Sequence, residues 1–356
     1  MQIDRGPHPL SLYLTDLVCR TAEDPQQRAR IDRFLAAIRR YQQHPYRREL
    51  EEPPTVAHAG AARLLSFGGP QNSKAPAVVF APSLINPSWV LDLTAERSLL
   101  RWLATQGIRP FLIDWGAPQE EERGFDLNAY ITRRLIPLIE TLGEPVTLVG
   151  YCLGGTLATA AAVLSPAVAR LAVLAAPWVF DAYEDTQRQG LAAFALQSEP
   201  LAQSLGVFPI EALQATFWAL DPTLMERKFA GFAAMDDAAP EASAFVALED
   251  WANTGAPLSL PAARQLVDGF FGTDTPGTGL WTVDGTPIDP ARINAPSLVV
   301  SARTDRIVPL ASSAPLAERI PSATAMVVES GHVGMVVSRR APSLLWEPLA
   351  RWLVAP

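Results

Sequence analysis

The chain has 356 residues, 49% of them hydrophobic, so it can bury a large core in one big domain or in two of ordinary size. Its 29 Lys and Arg against 37 Asp and Glu give a net charge of -8 without a dense basic cluster, which argues against nucleic-acid binding through phosphates. Two cysteines, Cys19 and Cys152, cannot build a disulfide framework, and with no CxxC or His/Cys cluster we predict no metal and no cofactor.

The N-terminal stretch MQIDRGPHPL has no apolar run of the kind found in signal peptides, so we expect a cytoplasmic protein. One stretch, residues 156–180, is almost wholly apolar, but Pro166, Arg170 and Pro177 divide it into pieces too short to span a bilayer. We therefore expect a buried helix followed by a buried strand.

The first predicted element is a helix near the N-terminus, where apolar residues from Ile31 to Tyr41 recur at helical spacing. After a break at QQHPYRRELEEPP, short apolar strands alternate with helices. The predicted strands are ARLLSF, AVVFAP, RPFLID, VTLVG, LAVLAA, SLVVSA and AMVVES. Strands that are apolar on both faces and alternate with helices predict a mostly parallel α/β sheet flanked by helices.

The strand–helix alternation stops after Phe180 and resumes near Pro296. The residues in between are rich in Phe, Trp, Leu, Met and Pro and show no repeated strand–helix unit, which indicates a cap inserted over the carboxyl edge of the sheet. We predict an N-terminal helical segment at 1–60, a first part of the core at 61–181, the cap at 182–285 and a second part of the core at 286–356.

The segment VTLVGYCLGGT reads as a strand, a sharp turn and a helix. Gly150 and Gly154 flank Cys152 as in the nucleophile elbow Gly-x-[nucleophile]-x-Gly, where glycines permit the strained turn. The backbone N–H of Leu153 then points to where an oxyanion forms, at a helix N-terminus that also favours a thiolate. The alternative is a buried cysteine beside glycines used for packing.

Two further residues follow strands later in the chain. His332, the last of four histidines, lies in the loop after AMVVES, and Asp305 follows SLVVSA. The order nucleophile, acid, histidine, each after its own strand, is that of the α/β-hydrolase fold. Alternatively, Asp305 is an ordinary turn former and His332 a surface or core residue. Asp114 is the rival acid, but it precedes the nucleophile in the chain.

These segments resemble the poly(3-hydroxyalkanoate) synthase family, over about Leu64 to Leu353. The resemblance is carried by PSLINPSWVLDLTAERSLLRWLATQGIRPFLIDWG, GYCLGGT, TDRIVP and GHVGM. It implies that Cys152, Asp305 and His332 form the catalytic triad. It also implies that the LIN segment is the family's oxyanion loop, with backbone amides of Leu84 and Ile85 completing the hole.

The resemblance further implies a 3-hydroxyacyl-CoA substrate, a polyester product and a place in the cytoplasm or at a polyester granule surface. The chain length resembles the short form of the family, which works with a second subunit; a homodimer is the other expectation. Two features depart from the family pattern: Arg306 stands where a histidine usually follows the acid, and LEDWANTGAPLSLPAARQLVDGFF replaces the usual channel segments.

Sulfur suits acyl transfer, because moving an acyl group from CoA to Cys152 exchanges one thioester for another. We therefore expect a cysteine acyltransferase that polymerises (R)-3-hydroxyacyl-CoA with release of CoA. The alternatives are a thioesterase, esterase or polyester depolymerase with the same triad, and a non-catalytic scaffold. Tyr151, Trp218 and Trp251 are the candidate substrate-binding side chains, although core packing is the better explanation for most aromatic residues of the insertion.

Overall fold

The computed structural model describes residues 25–70, 75–212 and 224–355. Its strands are β1 Thr55–Ala59, β2 Ala62–Ser66, β3 Ala77–Ala81, β4 Arg109–Asp114, β5 Val146–Tyr151, β6 Val168–Leu174, β7 Val207–Phe208, β8 Leu258–Ser259, β9 Thr282–Val283, β10 Thr286–Pro287, β11 Ser297–Ala302 and β12 Ala323–Val328.

Eight of these strands form one sheet in the order β1-β2-β4-β3-β5-β6-β11-β12. The pairs β1–β2 and β2–β4 are antiparallel, and every other neighbouring pair is parallel. The predicted architecture, a mostly parallel sheet flanked by helices, is therefore confirmed. The remaining four strands form two short ribbons, β7–β8 and β9–β10.

The helices cover both faces of this sheet and build the insertion. They are α1 Pro25–Gln43, α2 Leu99–Thr105, α3 Leu127–Tyr130, α4 Ile136–Glu140, α5 Leu153–Leu164, α6 Asp185–Leu205, α7 Leu224–Ala233, α8 Pro240–Ala252, α9 Leu260–Arg264, α10 Thr275–Thr278, α11 Leu310–Ser313, α12 Leu316–Arg319, α13 Gly334–Val337 and α14 Glu347–Val354. Wide π-type turns occupy Ile131–Leu135, Gln265–Gly272 and Pro342–Trp346, and 3₁₀ turns occupy Ser88–Leu91, Glu120–Glu122, Phe180–Ala182 and Pro290–Arg292.

The central strands are buried from end to end, which explains why they read as continuous apolar runs. All six residues of β5 and of β11 are buried. Parallel register brings Tyr151 opposite Leu174 and Ala302 opposite Val328, so the carboxyl ends of β5, β6, β11 and β12 lie side by side. Loops that leave this edge can therefore place their side chains together.

Two features of the fold differ from the sequence prediction. Strand β1 lies inside the segment predicted to be only helical, at residues 1–60, and pairs with β2 at the sheet edge. Its residues, TVAHA, are short and largely exposed, so they lack the apolar signature of the inner strands. The ribbons of the insertion were also missed, because two-residue strands carry no periodicity.

Helix α1 packs against the insertion rather than against the sheet. Phe34 and Phe229 meet edge to face with ring centroids 5.5 Å apart, and the Tyr41 hydroxyl donates to Oδ1 of Asp250 at 2.8 Å. The apolar residues buried in this cluster are Phe34, Ala37, Ile38, Tyr41, Met225, Phe229, Phe232, Ala242 and Val246. Within the described ranges, no helix is both long enough and apolar enough to cross a bilayer.

Candidate active site

Cys152 occupies a strained turn between β5 and α5. Its φ of 57° and ψ of -133° fall in a region that side-chain-bearing residues rarely adopt. The turn is held on both sides, since the Cys152 N–H donates to the Leu174 carbonyl at 2.9 Å and the Cys152 carbonyl accepts from Gly155 N–H at 2.8 Å. The thiol is half-buried. This is the backbone geometry of a nucleophile elbow.

The glycines around Cys152 are required by close backbone approach. A Cβ on Gly154 would collide with the carbonyl oxygens of Ala81 and Pro82, and one on Gly150 would collide with the backbone of Gly155. The absence of side chains lets the start of α5 lie directly against the end of β3. The amide end of that helix is thereby brought beside the loop that follows β3.

Asp305 and His332 form a buried pair. Nδ1 of His332 lies 2.6 Å from Oδ2 of Asp305, and both residues are buried. The other oxygen, Oδ1, accepts from the Ile307 and Val308 N–H groups at 2.8 Å each. Because these amides fix the carboxylate, Asp305 can hold the imidazole in one orientation and stabilise its cation.

Cys152 completes this arrangement as a hydrogen-bond partner of the His332 side chain. Burial lowers the pKa of His332, but the negative charges of Cys152 and Asp305 and hydrogen bonds to both outweigh burial and raise it from 6.5 to about 10. Since Asp305 occupies Nδ1, Nε2 is the nitrogen left for the thiol. The raised pKa favours the imidazolium form of His332, and Nε2 is placed to exchange a proton with the Cys152 thiol.

The residues predicted to form an oxyanion hole lie on two adjoining segments. Leu153 begins α5 directly after Cys152, and Leu84 and Ile85 are buried in the loop after β3. The Ile85 N–H donates to Oγ of Ser83 at 3.2 Å, which weighs against Ile85 as an oxyanion donor. First-turn amides such as that of Leu153 have no acceptor within their own helix.

The three candidate substrate-binding residues have different outcomes. Tyr151 is buried against His332, with ring centroids 5.1 Å apart and planes 25° apart, and its hydroxyl donates to the His332 carbonyl at 3.2 Å. Trp251 is buried in an apolar cluster that also contains Tyr151, and its indole N–H donates to the Pro87 carbonyl at 2.9 Å. Trp218 lies outside the described residues.

The rival acid, Asp114, is engaged elsewhere. Its Oδ2 accepts from Arg63 at 2.6 Å where β2 pairs with β4, two strands from β5 on the side away from β11. The structure thus pairs Asp305, and not Asp114, with His332. In residues 25–70, 75–212 and 224–355, no group of three or more His, Cys, Asp or Glu side chains is placed to hold a metal.

Sequence reasoning did not single out Tyr183, which lies within electrostatic reach of the site. Burial, followed by the charges of Cys152 and Asp305, raises the pKa of its phenol well above the ordinary value. Its ring packs on those of Phe180 and Phe271, with centroids 6.1 and 4.9 Å away. The only signal in the sequence is its place at the start of the insertion, after the 3₁₀ turn Phe180–Ala182 that follows β6.

The fold defines the class of protein, together with Cys152, Asp305 and His332 at the carboxyl edge of the sheet. The family model of the α/β hydrolase fold matches residues 76–338, and the chain belongs to this family. Among solved structures, a monoacylglycerol lipase from Paleococcus ferrophilus is similar at a TM-score of 0.52 and 17% identity, over 82% of this chain and 98% of the lipase. At this identity the likeness shows the fold alone.

Within that class, the curated relatives confirm the resemblance seen in the sequence. The chain is 27% identical to the poly(3-hydroxyalkanoate) polymerase subunit PhaC of Haloferax mediterranei, over 77% of this chain and 58% of the relative. It is 26% identical to the subunit of the same name from Allochromatium vinosum, over 80% of this chain and 82% of the relative. The match thus spans less than two thirds of the archaeal relative's length.

Proposed function

We propose that this protein is an acyltransferase that polymerises (R)-3-hydroxyacyl-CoA into polyhydroxyalkanoate and releases CoA. The observation that carries the proposal is the contact of Cys152, at a strained elbow, with an imidazole whose second nitrogen is held by Asp305. The names of the relatives support the choice of substrate and product.

In the first half-reaction, the Cys152 thiolate attacks the carbonyl carbon of the acyl-CoA thioester. Charge on the resulting oxyanion is stabilised by backbone amides at the start of α5 and in the loop after β3. Collapse breaks the bond between carbon and CoA sulfur, and the departing thiolate takes a proton from His332. The acyl group remains on Cys152 as a thioester.

In the second half-reaction, the hydroxyl of a 3-hydroxyacyl group attacks the thioester at Cys152. Neutral His332 removes the hydroxyl proton, a new ester bond forms, and the bond to the Cys152 sulfur breaks. The thiolate is thereby regenerated beside a protonated His332. General-base assistance of this kind contributes about 10²–10⁴-fold to the rate.

The alternative is a hydrolase that uses the same three residues and takes water as the acceptor. The similar lipase from Paleococcus ferrophilus shares the fold alone, which does not distinguish the two acceptors. The thiol is half-buried and packs against an apolar cluster that includes Ala247 and Trp251 of α8. This packing favours transfer, because limited water access protects an acyl-thioester. We propose that the insertion at 182–285 provides this protection.

The decisive experiment incubates the purified protein with 3-hydroxybutyryl-CoA and analyses all products. We expect CoA release together with chloroform-soluble polymer, and neither product with Cys152→Ala. CoA release with free 3-hydroxybutyrate instead of polymer would establish the hydrolase. A wild-type protein that releases no CoA, either alone or with a second synthase subunit added, would overturn both enzymatic readings in favour of a scaffold.

Because the relatives are named as polymerase subunits, we also propose that the chain acts with a second subunit or as a homodimer. The same assay tests this point. A rate that rises more than in proportion to protein concentration would support self-association. Full polymer yield from a chain that sedimentation shows to be monomeric at the assay concentration, without any second subunit, would contradict it.

A further inference from the structure

Tyr151 contacts His332 through two separate groups. Its ring lies against the imidazole, with centroids 5.1 Å apart and planes 25° apart, and its hydroxyl donates to the His332 carbonyl at 3.2 Å. Only 3% of Tyr151 is exposed, so the side chain has little surface left for a substrate. This weighs against the substrate-binding role expected from the sequence.

In the loop that carries His332, the carbonyls on either side of this residue accept hydrogen bonds from the short helix α13, whereas the His332 carbonyl accepts from Tyr151. The Gly331 carbonyl accepts from Met335 N–H at 3.0 Å, and the Val333 carbonyl accepts from the N–H groups of Val336 and Val337 at 3.0 and 3.1 Å. Between them, the His332 carbonyl accepts from the Tyr151 phenol. The phenol thus ties the loop to the sheet at the position of the histidine itself.

The other end of this contact is rigid. Tyr151 is the last residue of β5, a strand that is buried throughout and paired with β3 and β6 on its two sides. The next residue is Cys152, so the nucleophile elbow and the tyrosine that contacts His332 both lie at the carboxyl end of β5. Rigid elements hold a reactive pair more accurately than loops do.

We propose that Tyr151 is a positioning residue, whose ring and hydroxyl hold the loop-borne imidazole of His332 against the Cys152 thiol. The inference rests on the proposed pairing of these two residues and is the same whether the acyl acceptor is a hydroxyl or water. Asp305 fixes Nδ1 of the ring, and Tyr151 covers one ring face and the backbone, so the ring cannot turn away from the thiol.

The stack also stabilises the charged form of His332. An aromatic face attracts a cation lying over it, and the titratable groups that face this imidazole are Asp305 and Cys152. Burial, together with the charges of Cys152 and Asp305, raises the pKa of the Tyr151 phenol well above its ordinary value. The hydroxyl therefore keeps its proton and remains a donor across the working pH range.

The first test measures alkylation of Cys152 by iodoacetamide at pH 7, by mass spectrometry of the Cys152 peptide, and needs no acyl substrate. Tyr151→Phe keeps the ring and removes one hydrogen bond, so we expect the rate to fall about two- to tenfold. Tyr151→Leu also removes the stack, and its rate should approach that of His332→Ala. Tyr130→Phe removes another buried phenol, one that packs against Trp115 and Phe125 in a different core cluster from Tyr151, and should alkylate like the wild type.

The second test follows His332 by NMR in protein labelled at histidine, with the signal assigned by its loss in His332→Gln. Tyr151→Leu should shift the pKa of His332 from about 10 down toward 6.5, because the cation loses its aromatic face and its fixed place beside Asp305. With acyl-CoA, kcat should fall while KM stays unchanged. Tyr151→Phe should keep most of the wild-type pKa.

The outcomes separate this inference from the proposed function. If His332→Ala alkylates at the wild-type rate, the Cys152–His332 pairing is wrong and the proposed function fails with it. If His332→Ala is slow while folded Tyr151→Leu and Tyr151→Phe are both as fast as the wild type, only the role of Tyr151 is overturned. A rise in KM at constant kcat in Tyr151→Leu would instead assign Tyr151 a substrate-binding role.

Discussion

At the scale of single residues, Cys152 stands in a backbone conformation that costs of order 1–3 kcal/mol for a residue with a side chain. Hydrogen bonds to Leu174 and Gly155 hold it there, and the strain turns the thiol out of the sheet toward His332. Sequence alone indicated this turn, because Gly-x-Cys-x-Gly between an apolar strand and an apolar helix is its signature. It could not indicate that Tyr151 faces the histidine loop, which depends on a contact between residues 181 positions apart.

Exchange of sulfur for oxygen separates transfer from hydrolysis. We expect Cys152→Ser to lower CoA release and polymer formation at least about tenfold, because a serine is a weaker nucleophile and its ester has less transfer potential than a thioester. Hydrolysis of a simple ester such as p-nitrophenyl acetate should persist, since His332 and Asp305 remain in place. Cys152→Ala controls for both activities. Polymer made by Cys152→Ser at the wild-type rate would refute the argument for sulfur.

At the scale of the elements, the inner strands were predictable because burial on both faces makes them largely apolar. Helix α3 begins at a local signal of the same kind, since the Asp126 carboxylate accepts from Ala129 N–H at 2.8 Å and caps its first turn. The largely exposed edge strand β1 and the two-residue ribbons were not predictable, because neither has a hydrophobic period. The order of strands, which brings β11 and β12 next to β6, comes from pairing between distant segments.

The contact between α5 and the end of β3 leads to a paired glycine prediction. Gly154→Ala should lower the free energy of unfolding by about 1–3 kcal/mol, because its Cβ meets the backbone oxygens of Ala81 and Pro82, which cannot rotate away. It should also slow CoA release by moving the loop that carries Leu84. The control is Gly190→Ala in helix α6, where a Cβ meets open space.

The control should change stability in the opposite direction. Alanine in place of Gly190 is expected to raise the free energy of unfolding by about 0.5–1 kcal/mol, since glycine is the poorer helix former. Urea unfolding of both variants gives the comparison. If Gly154→Ala is as stable as the wild-type protein and releases CoA as fast, the close approach of α5 to the end of β3 is not required.

At the scale of the whole molecule, three parts that are distant in sequence are joined through neighbouring residues of α8. The Tyr41 hydroxyl of α1 donates to Asp250, and the adjacent Trp251 donates to the Pro87 carbonyl in the loop after β3. Arg40 adds bonds to Asp237 at 2.6 Å and to the Phe232 carbonyl at 2.6 Å. The sequence predicted helix α1 and the insertion separately, but their contact could not be predicted, because apolar faces of helices do not specify their partners.

This connection predicts that a change in α1 reaches the active site. Tyr41→Phe should lower the free energy of unfolding by about 1–3 kcal/mol, because a buried carboxylate loses a hydrogen bond, and burial leaves no room for water to replace it. Arg39→Ala, at an exposed position of the same helix, should change stability by no more than about 0.5 kcal/mol. Since Asp250 directly precedes Trp251, Tyr41→Phe should also lower kcat for CoA release while Arg39→Ala leaves it unchanged. A destabilised Tyr41→Phe with full kcat would mean that α1 anchors the insertion without influencing the loop that carries Leu84.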